Sequence, residues 1–382
     1  MTEKLYYKDS HIRVFTAVVL SCSGSDGRFS VELDRTAFFP EGGGQPGDTG
    51  VIGASRVLDT QETDGRIVHL TDAPLNVGDE VACSLDWTVR FRRMQHHSGE
   101  HIVSGLVHSL YGYDNVGFHL GEDDVTMDFN GELTRADLDR VEELANEAVY
   151  KNIPIKTLFP SPSSLPRLKY RSKLDLTENV RLVRIPGYDL CACCAPHVKR
   201  TGEIGLIKLT DFMRHRGGVR IHLLAGADAM ADYRVKYANV TSISNALSAP
   251  QNDTAQAVER LKRELSDLNL DSVKLRRELV GLKAASLKDT NGNICLFEPE
   301  LDTDMMRQLC NAGTAVCSGM CAVFTGSDSG GYKYIIGSRN IDLRERSREI
   351  NAALSGRGGG KPEMIQGSVT AARGDIEKYF EK

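Results

Sequence analysis

Two pairs of side chains, each four residues apart, could together hold a metal ion. They are His97 and His101 in His97-Ser98-Gly99-Glu100-His101, and Cys193 and His197 in Cys193-Cys194-Ala195-Pro196-His197. On a helix, positions i and i+4 lie on one face, one above the other. Both imidazoles of the first pair can then address a single ion. Cys193 and His197 would complete a tetrahedral nitrogen–sulfur set, which is a zinc preference. A structural zinc closes its site with four protein ligands, whereas a catalytic one leaves a position open for water or substrate. The residue types permit either state. With one histidine unbound, the ion could polarise a carbonyl or activate water. The first motif also spells His-x-x-Glu-His, the inverted zinc-peptidase signature with Glu100 as general base, but that reading leaves Cys193 and His197 idle.

Two glycine-rich stretches stand apart from these pairs. The first is Thr36-Ala37-Phe38-Phe39-Pro40-Glu41-Gly42-Gly43-Gly44-Gln45-Pro46-Gly47-Asp48. Its three consecutive glycines permit backbone conformations closed to other residues and the close approach of a ligand. Glu41, Gln45 and Thr36 bring polar side chains near it. A tight structural turn is the alternative. The second is Gly356-Arg357-Gly358-Gly359-Gly360-Lys361-Pro362, read as a loop whose backbone N–H groups could hold phosphate. It is not a Walker A loop, because no Gly-Lys-Ser/Thr closes it.

Around these stretches the chain reads as a soluble protein of 382 residues, long enough for two or three domains. Neither a membrane span nor an N-terminal signal segment is apparent, so the cytoplasm is the expected compartment. Nine cysteines, three of them at 191, 193 and 194, suit metal binding under reducing conditions better than a disulfide framework. A net charge of −5, from 47 basic and 52 acidic residues, argues against a globally basic nucleic-acid binder. A tRNA partner could still be met through local patches, with Arg167, Lys169, Arg171 and Lys173 as one candidate and Arg214, Arg216 and Arg220 as another. Either group could equally be a solvated face.

The elements that must position the two pairs suggest a multidomain α+β architecture. Residues 1–85 read as a small β-barrel, with the β-branched run Val14 to Leu20, turn chemistry at Gly24-Ser25-Asp26-Gly27, period-two alternation over Phe29 to Leu33, and further strands at Arg66 to Leu70 and Val81 to Leu85. Residues 86–228 read as an α+β domain. Asp86 is its first N-cap, a helix over 88–110 carries the histidine pair, and a second helix opens at Thr134. Residues 229–288 are helical. Val258, Leu261, Leu265, Leu268, Leu275, Leu279 and Leu282 recur at alternating steps of three and four, with Ser272 in the one slot that is not apolar. This fits a coiled-coil dimer seam through residues 258–282 or a helical hairpin packed within the monomer. Residues 289–382 read as a small α/β domain with a hairpin over Ala322 to Ile336 and a helix over Leu343 to Leu354.

Taken together, the segments resemble the editing half of alanyl-tRNA synthetases and the free-standing alanyl-tRNA editing proteins of the AlaX type. TAFFPEGGGQPGDTG resembles that family's glycine-rich motif, HHSGEH its His-x3-His motif, and CCAPHVKRTGEIG its Cys-x3-His motif. GRGGGKPEMIQG resembles the DHH-associated domain that ends the synthetases and the long editing proteins, although the DHH phosphoesterase motif itself is absent. The synthetase's aminoacylation and tRNA-recognition domains would precede residue 1, so the resemblance implies the long, free-standing editor.

The family implies hydrolysis of the ester joining a wrong amino acid, serine or glycine, to alanine tRNA. Carried across, Zn2+ is held by His97, His101, Cys193 and His197, and Thr36 and Gln45 match positions lining the amino-acid pocket. Glu41 and Glu100 join them as candidates for catalysis, and Gly42, Gly43 and Gly44 as candidates for substrate contact. Arg357, Gly358, Gly359, Gly360 and Lys361 are candidates for tRNA contact. The chain departs from the usual Cys-Gly-Gly-Thr-His at Cys194, Ala195 and Pro196, so Cys191 or Cys194 could compete for the ion. Pro196 could hold His197 in place or turn it away. Glu100, where a neutral residue is more usual, is either a water-positioning base or a solvated side chain. The expected function is a zinc-dependent aminoacyl-tRNA deacylase. The alternatives are a non-catalytic module that binds zinc and tRNA, and the inverted peptidase.

Overall fold

The computed structural model describes residues 2–25, 27–121, 125–173 and 180–381. Met1, and the Asp26 of the expected first turn, lie outside the described residues. Two compact units divide the chain, Met1–Ser242 and Ile243–Lys382. In the first, β1 Glu3–Lys4, α1 Leu5–Lys8, β2 Val14–Ser25, β3 Arg28–Leu33, β4 Arg35–Thr36, β5 Gly50–Ile52, β6 Ser55–Thr63, β7 Arg66–Thr71 and β8 Glu80–Leu85 follow in order. Strands β2, β3, β7, β6, β5 and β8 are neighbours in that sequence and close a barrel. The period-two pattern explains the closure. On β3, Val31 and Leu33 are buried while Arg28 and Ser30 face out, and on β7 the inward positions are Ile67, His69 and Thr71.

Helix α2, Trp87–Tyr111, leaves the barrel directly. The Asp86 carboxylate accepts the Val89 N–H at its start, and Gly112 ends it in the left-handed region at φ 73°. Next come β9 Asn115–Leu120, β10 Val125–Phe129, α3 Arg135–Tyr150, β11 Lys156–Leu158, β12 Leu182–Ile185, β13 Asp189–Ala192, β14 Ile207–His215, β15 Gly218–Ala225 and α4 Gly226–Leu247. Thr134 and Asp137 form a capping box at the start of α3. An antiparallel sheet in the order β14-β15-β10-β9 shares one core with α2 and α3, built on Met94, Ile102, Val103, Met127, Val141 and Ile221. Strands β11, β12 and β13 form a separate three-stranded sheet that leads into the Cys193 segment.

The second unit holds α5 Thr254–Ser286, β16 Ile294–Phe297, α6 Thr303–Val316, β17 Cys321–Ser327, β18 Gly331–Gly337, α7 Leu343–Ala353, β19 Gly356–Lys361, β20 Met364–Val369 and α8 Arg373–Phe380. Its five-stranded sheet runs β16-β17-β18-β20-β19. Alternation on β17 sends Cys321 and Val323 into one core with Val280, Met305 and Leu309, and Ala322 and Phe324 into another with Leu343, Ile350 and Phe380. One expectation is corrected here. Gly356 to Lys361 is the edge strand β19, paired antiparallel with β20 from Gly356↔Val369 to Lys361↔Met364, and is not a loop. Glycine is needed at position 358 for packing, since a Cβ there would lie 2.3 Å from Tyr334 Oη.

The two basic groups also read differently in three dimensions. Arg171 spends its guanidinium on Asp189, at 2.8 and 3.0 Å, and Arg220 on Asp128, at 2.7 and 2.8 Å. Those cations are internal partners of carboxylates, whereas Arg167, Lys169, Lys173, Arg214 and Arg216 are exposed.

A buried ion pair fastens the first glycine-rich stretch to α2. The Asp48 and Arg90 side chains are each 1% exposed. Arg90 Nε donates to Asp48 Oδ2 at 2.8 Å, and its Nη2 reaches the same carboxylate and, at 2.6 Å, the Ala37 carbonyl. The Phe39 N–H donates to Asp48 at 2.7 Å, and Arg93 Nη1 donates to the Gly47 carbonyl at 2.7 Å. His97 stands two turns further along the same helix. Asp48→Ala would leave Arg90 charged and unpaired in the interior, which costs about 3–5 kcal/mol. A urea melt followed by Trp87 fluorescence should show a lower midpoint, and an unchanged midpoint would refute the clamp.

Candidate metal centre

The two sequence pairs meet. The ligand atoms of His97, His101, Cys193 and His197 all lie within 4.8 Å of one another. Cys193 Sγ is 3.5 Å from His97 Nε2 and 3.4 Å from His197 Nε2. Two ligands of one tetrahedral ion, with metal–sulfur near 2.3 Å and metal–nitrogen near 2.0–2.1 Å, would stand roughly 3.6 Å apart. The observed separations fit that spacing.

Each ring is turned by a bond at its other nitrogen. His97 Nδ1–H donates to Gln45 Oε1 at 3.0 Å, and His101 Nδ1–H donates to Asp189 Oδ2 at 2.8 Å. Both partners accept, so Nδ1 carries a proton and Nε2 is the atom turned toward the centre. Against burial, Glu100, Asp189 and Cys193 hold the His101 pKa well above its ordinary value, so an ion binding there would displace a proton from it. His197 Nδ1 lies 3.0 Å from Ser98 Oγ, which also accepts the Val198 N–H at 3.2 Å. Asp189 is itself held by Arg171. Gly105, one turn beyond His101, lets this happen, because a Cβ there would lie 2.2 Å from the Tyr188 carbonyl oxygen.

The charge states separate the three clustered thiols. Burial raises the pKa of Cys193, but His97, His101 and His197 around it hold it well below its ordinary value. Burial pushes the Cys191 thiol up to about 11, and although Cys194 is exposed, the atoms crowding its base and the neighbouring Cys193 raise it likewise. Cys193 is therefore the one of the three held as a thiolate, the form that binds metal. Burial, followed by His101, pushes His197 down to about 3, so it is neutral and able to donate a lone pair. Pro196 does not turn His197 away.

The other expected residues fall into three groups. Gln45 is fully buried; its oxygen is used by His97, while its Nε2 has no partner among the described residues. Gly43 borders the centre, since a Cβ there would lie 3.9 Å from His97 Cε1, and a Cβ on Gly42 or Gly43 would lie 3.5 or 3.7 Å from Cys194 Sγ beside it. Gly44, at φ +80°, docks on β9, where a Cβ would meet the Phe118 carbonyl at 2.4 Å. Thr36 is buried in the barrel wall, with its hydroxyl 2.9 Å from His69 Nε2 and accepting the Phe38 N–H at 3.1 Å. Glu41 is exposed and accepts from Gln61 Nε2 at 2.8 Å.

Glu100 corrects an expectation. It is not a solvated side chain, being only 5% exposed. Its Oε1 accepts from Ser104 Oγ at 2.6 Å and Asn115 Nδ2 at 2.7 Å, and its Oε2 lies 3.8 Å from His101 Nε2. Asp189, Arg171, Ser104 and Asn115 were not legible as site residues, because their partners are distant in sequence or lie outside the two motifs. Ser98, inside the first motif, was the one signal available.

Comparison with known proteins finds relatives along nearly the whole chain. The family model described as "Threonyl and Alanyl tRNA synthetase second additional domain" matches residues 180–222, which span Cys193 and His197. The model "tRNA synthetases class II (A)" matches residues 10–89, which span the first glycine-rich stretch. The alanyl-tRNA editing protein AlaX-L of Pyrococcus horikoshii is 28% identical over 98% of this chain and 96% of its own length. The chain is a relative of the alanyl-tRNA editing proteins. Aarsd1 of Danio rerio, another of that name, is 25% identical with the same coverage. The alanine–tRNA ligase of Natronomonas pharaonis is 31% identical over 96% of this chain, which spans 42% of the ligase. Among solved structures, the C-Ala domain of Aquifex aeolicus alanyl-tRNA synthetase matches at 18% identity with a TM-score of 0.22, covering 25% of this chain and 96% of the domain.

Asp189 fixes a ring and does not itself join the four-ligand set. Asp189→Asn should therefore weaken metal binding about 10- to 100-fold, as loss of such supporting bonds does elsewhere. Competition with a chelator measures this directly, and an unchanged affinity would remove Asp189 from the site.

Proposed function

We propose that the chain is a zinc-dependent hydrolase that deacylates alanine tRNA carrying the wrong amino acid, chiefly serine and also glycine, as a free-standing editing factor in the cytoplasm. The observation that carries this reading is the convergence of three imidazole nitrogens and one cysteine sulfur beside the glycine loop. It is supported by an end-to-end relationship to proteins named for alanyl-tRNA editing. His97, His101, Cys193 and His197 would hold zinc, which with one of the four displaced to leave a position open would supply Lewis acidity toward the ester carbonyl. The remaining tasks belong to the chain's own groups.

Thr36 and Gln45 read the amino acid. Burial pushes His69 down to about 4, and its Nδ1–H is committed to the Val31 carbonyl at 3.0 Å. His69 Nε2 is therefore an acceptor and fixes the Thr36 proton. A seryl hydroxyl entering the pocket must donate to the remaining lone pair of Thr36. Alanine has no such proton and forgoes that bond, while Thr36 keeps its bonds to His69 and Phe38, so the discrimination rests on the one hydrogen bond that serine adds. Glycine enters on size, without that bond. The free Gln45 Nε2 is a donor for oxygen charge developing on the ester. Glu100, with one oxygen fixed by Ser104 and Asn115, offers the other to the attacking water. Arg357 and Lys361, with backbone N–H groups of Gly358, Gly359 and Gly360 on an edge strand, serve phosphate contact, which is sequence-independent and salt-sensitive.

The inverted-peptidase reading leaves Cys193 and His197 without a role, although both stand in the ligand set. Incubation with serine-charged and alanine-charged alanine tRNA tests the proposal, with loss of the seryl ester alone expected. Loss from neither substrate would support a non-catalytic zinc and tRNA module, and cleavage of a peptide without ester hydrolysis would support the peptidase. His101→Ala should abolish turnover. Glu100→Gln keeps the bonds to Ser104 and Asn115 possible and should lower kcat on the order of 10²-fold or more if the carboxylate handles water. Unchanged kcat in that variant would remove Glu100 from the mechanism.

A further inference from the structure

The three-stranded sheet of the first unit carries more than the Cys193 segment. Its pairing sets Leu158 of β11 beside Leu182 of β12, and Leu182 beside Ala192 of β13. Continued by one residue, that register brings Phe159, Arg181 and Cys193 into a row. The Cys193 N–H donates to the Arg181 carbonyl at 3.0 Å, which extends the ladder on that side. Residues opposite one another in a ladder point to the same face. Phe159 therefore stands two strand spacings, about 9.5 Å, from a candidate metal ligand.

Tyr7 lies over this row. Its ring meets that of Phe159 edge to face at 6.0 Å, and the Arg181 guanidinium carbon is 5.1 Å from its centre. Tyr7 also packs with Cys193 on the buried cluster of Tyr6, Phe39 and Ala195. Arg181 is 7% exposed and stiffens the row, because its Nη1 donates to the Cys193 carbonyl at 2.7 Å and to the Ala195 carbonyl at 2.9 Å. Phe159, by contrast, is 59% exposed. A single exposed apolar residue is ordinary. This one is set apart by its place. It is braced against Tyr7 on the side where the centre nears solvent: His97, His101 and His197 are buried, whereas Cys193 is half-buried and Cys194 exposed.

We propose that Phe159, braced by Tyr7 and Arg181, is the platform on which the adenine at the 3′ end of the tRNA stacks while the ester lies at the metal centre. Single-stranded ends are recognised by splaying a base onto an aromatic side chain, and a free phenyl face suits any base. An ester carbonyl at the centre puts the ribose that bears it at the rim and the base one sugar further out. The guanidinium over Tyr7 is a cation–π contact that fixes the brace. The same Arg181 fixes the Cys193 turn, so base and ester are held at one separation. The platform presupposes the deacylase reading, because it is the ester of tRNA that brings this base to the rim.

Uncharged alanine tRNA, intact and lacking its last nucleotide, provides the test, with binding read by fluorescence anisotropy. The wild-type chain should bind the intact tRNA more tightly. Phe159→Ala, a change at an exposed position, should lose about tenfold or more of that affinity and leave the affinity for the shortened tRNA as it was. Phe159→Trp should keep the preference for the intact tRNA. Equal binding of the two tRNAs by the wild-type chain overturns the platform. So does a Phe159→Ala variant that binds like the wild type or loses equally on both, and so does a Phe159→Trp variant that behaves as Phe159→Ala. Turnover plays no part in this measurement, so loss of the platform is distinct from loss of the deacylase, which shows as a seryl ester left intact.

Discussion

A neutral imidazole offers its lone pair to whatever its other nitrogen is not facing, and the centre of this molecule depends on that rule. Gln45 takes the Nδ1 proton of His97, Asp189 takes that of His101, and Ser98 stands at the same place on His197. The three partners come from the glycine-rich stretch, from the start of β13 and from α2 itself. Without them the rings could rotate, or present N–H where a lone pair is needed. The Cys193 thiolate then has three imidazoles about it, and the neighbouring thiols, kept protonated, do not compete.

Holding three such bonds at once requires separate layers to stay in register. The buried Asp48–Arg90 pair does this for the barrel side, binding the stretch that carries Gln45 to the helix that carries His97. Gly105 does it for the sheet side, giving the Tyr188–Asp189 turn room to approach α2. A desolvated ion pair is a weak contributor to net stability but a strong penalty if it is broken. Its value here is geometric: either partner alone would be a buried charge, so the loop and helix stay in one arrangement.

In the second unit, position in the ladder changes what a motif means. The glycines of β19 look like a phosphate loop when read in isolation, but at 356, 358 and 360 a Cβ would meet Tyr334 or β20, which leaves room for glycine alone. An edge strand still leaves one row of backbone donors unpaired, and the proposed phosphate contact would use that row. Helix α5 shows the converse. Its heptads were plain in the sequence, and the fold's contribution was to leave that face bare while using a different one.

Periodic and local features were legible from residue order alone. The barrel strands, the capped helices α2 and α3, the ligand pairs four apart and the leucine repeat each rest on interactions within a turn or between adjacent positions, which spacing encodes directly. Long-range partnership was not encoded in that way. Asp189 reaching His101 across 88 positions, Arg90 closing on Asp48 and Arg220 spent on Asp128 are pairings among many chemically equivalent carboxylates and cations. Glu100 is the clearest case: one residue from a histidine in sequence, it could have faced water or the core. Only the packing of Ser104 and Asn115 around it decided for the core. Sequence by itself determined which atoms were available for the chemistry. Tertiary structure decided which of them lost their water and found a partner, because desolvation depends on everything that packs nearby.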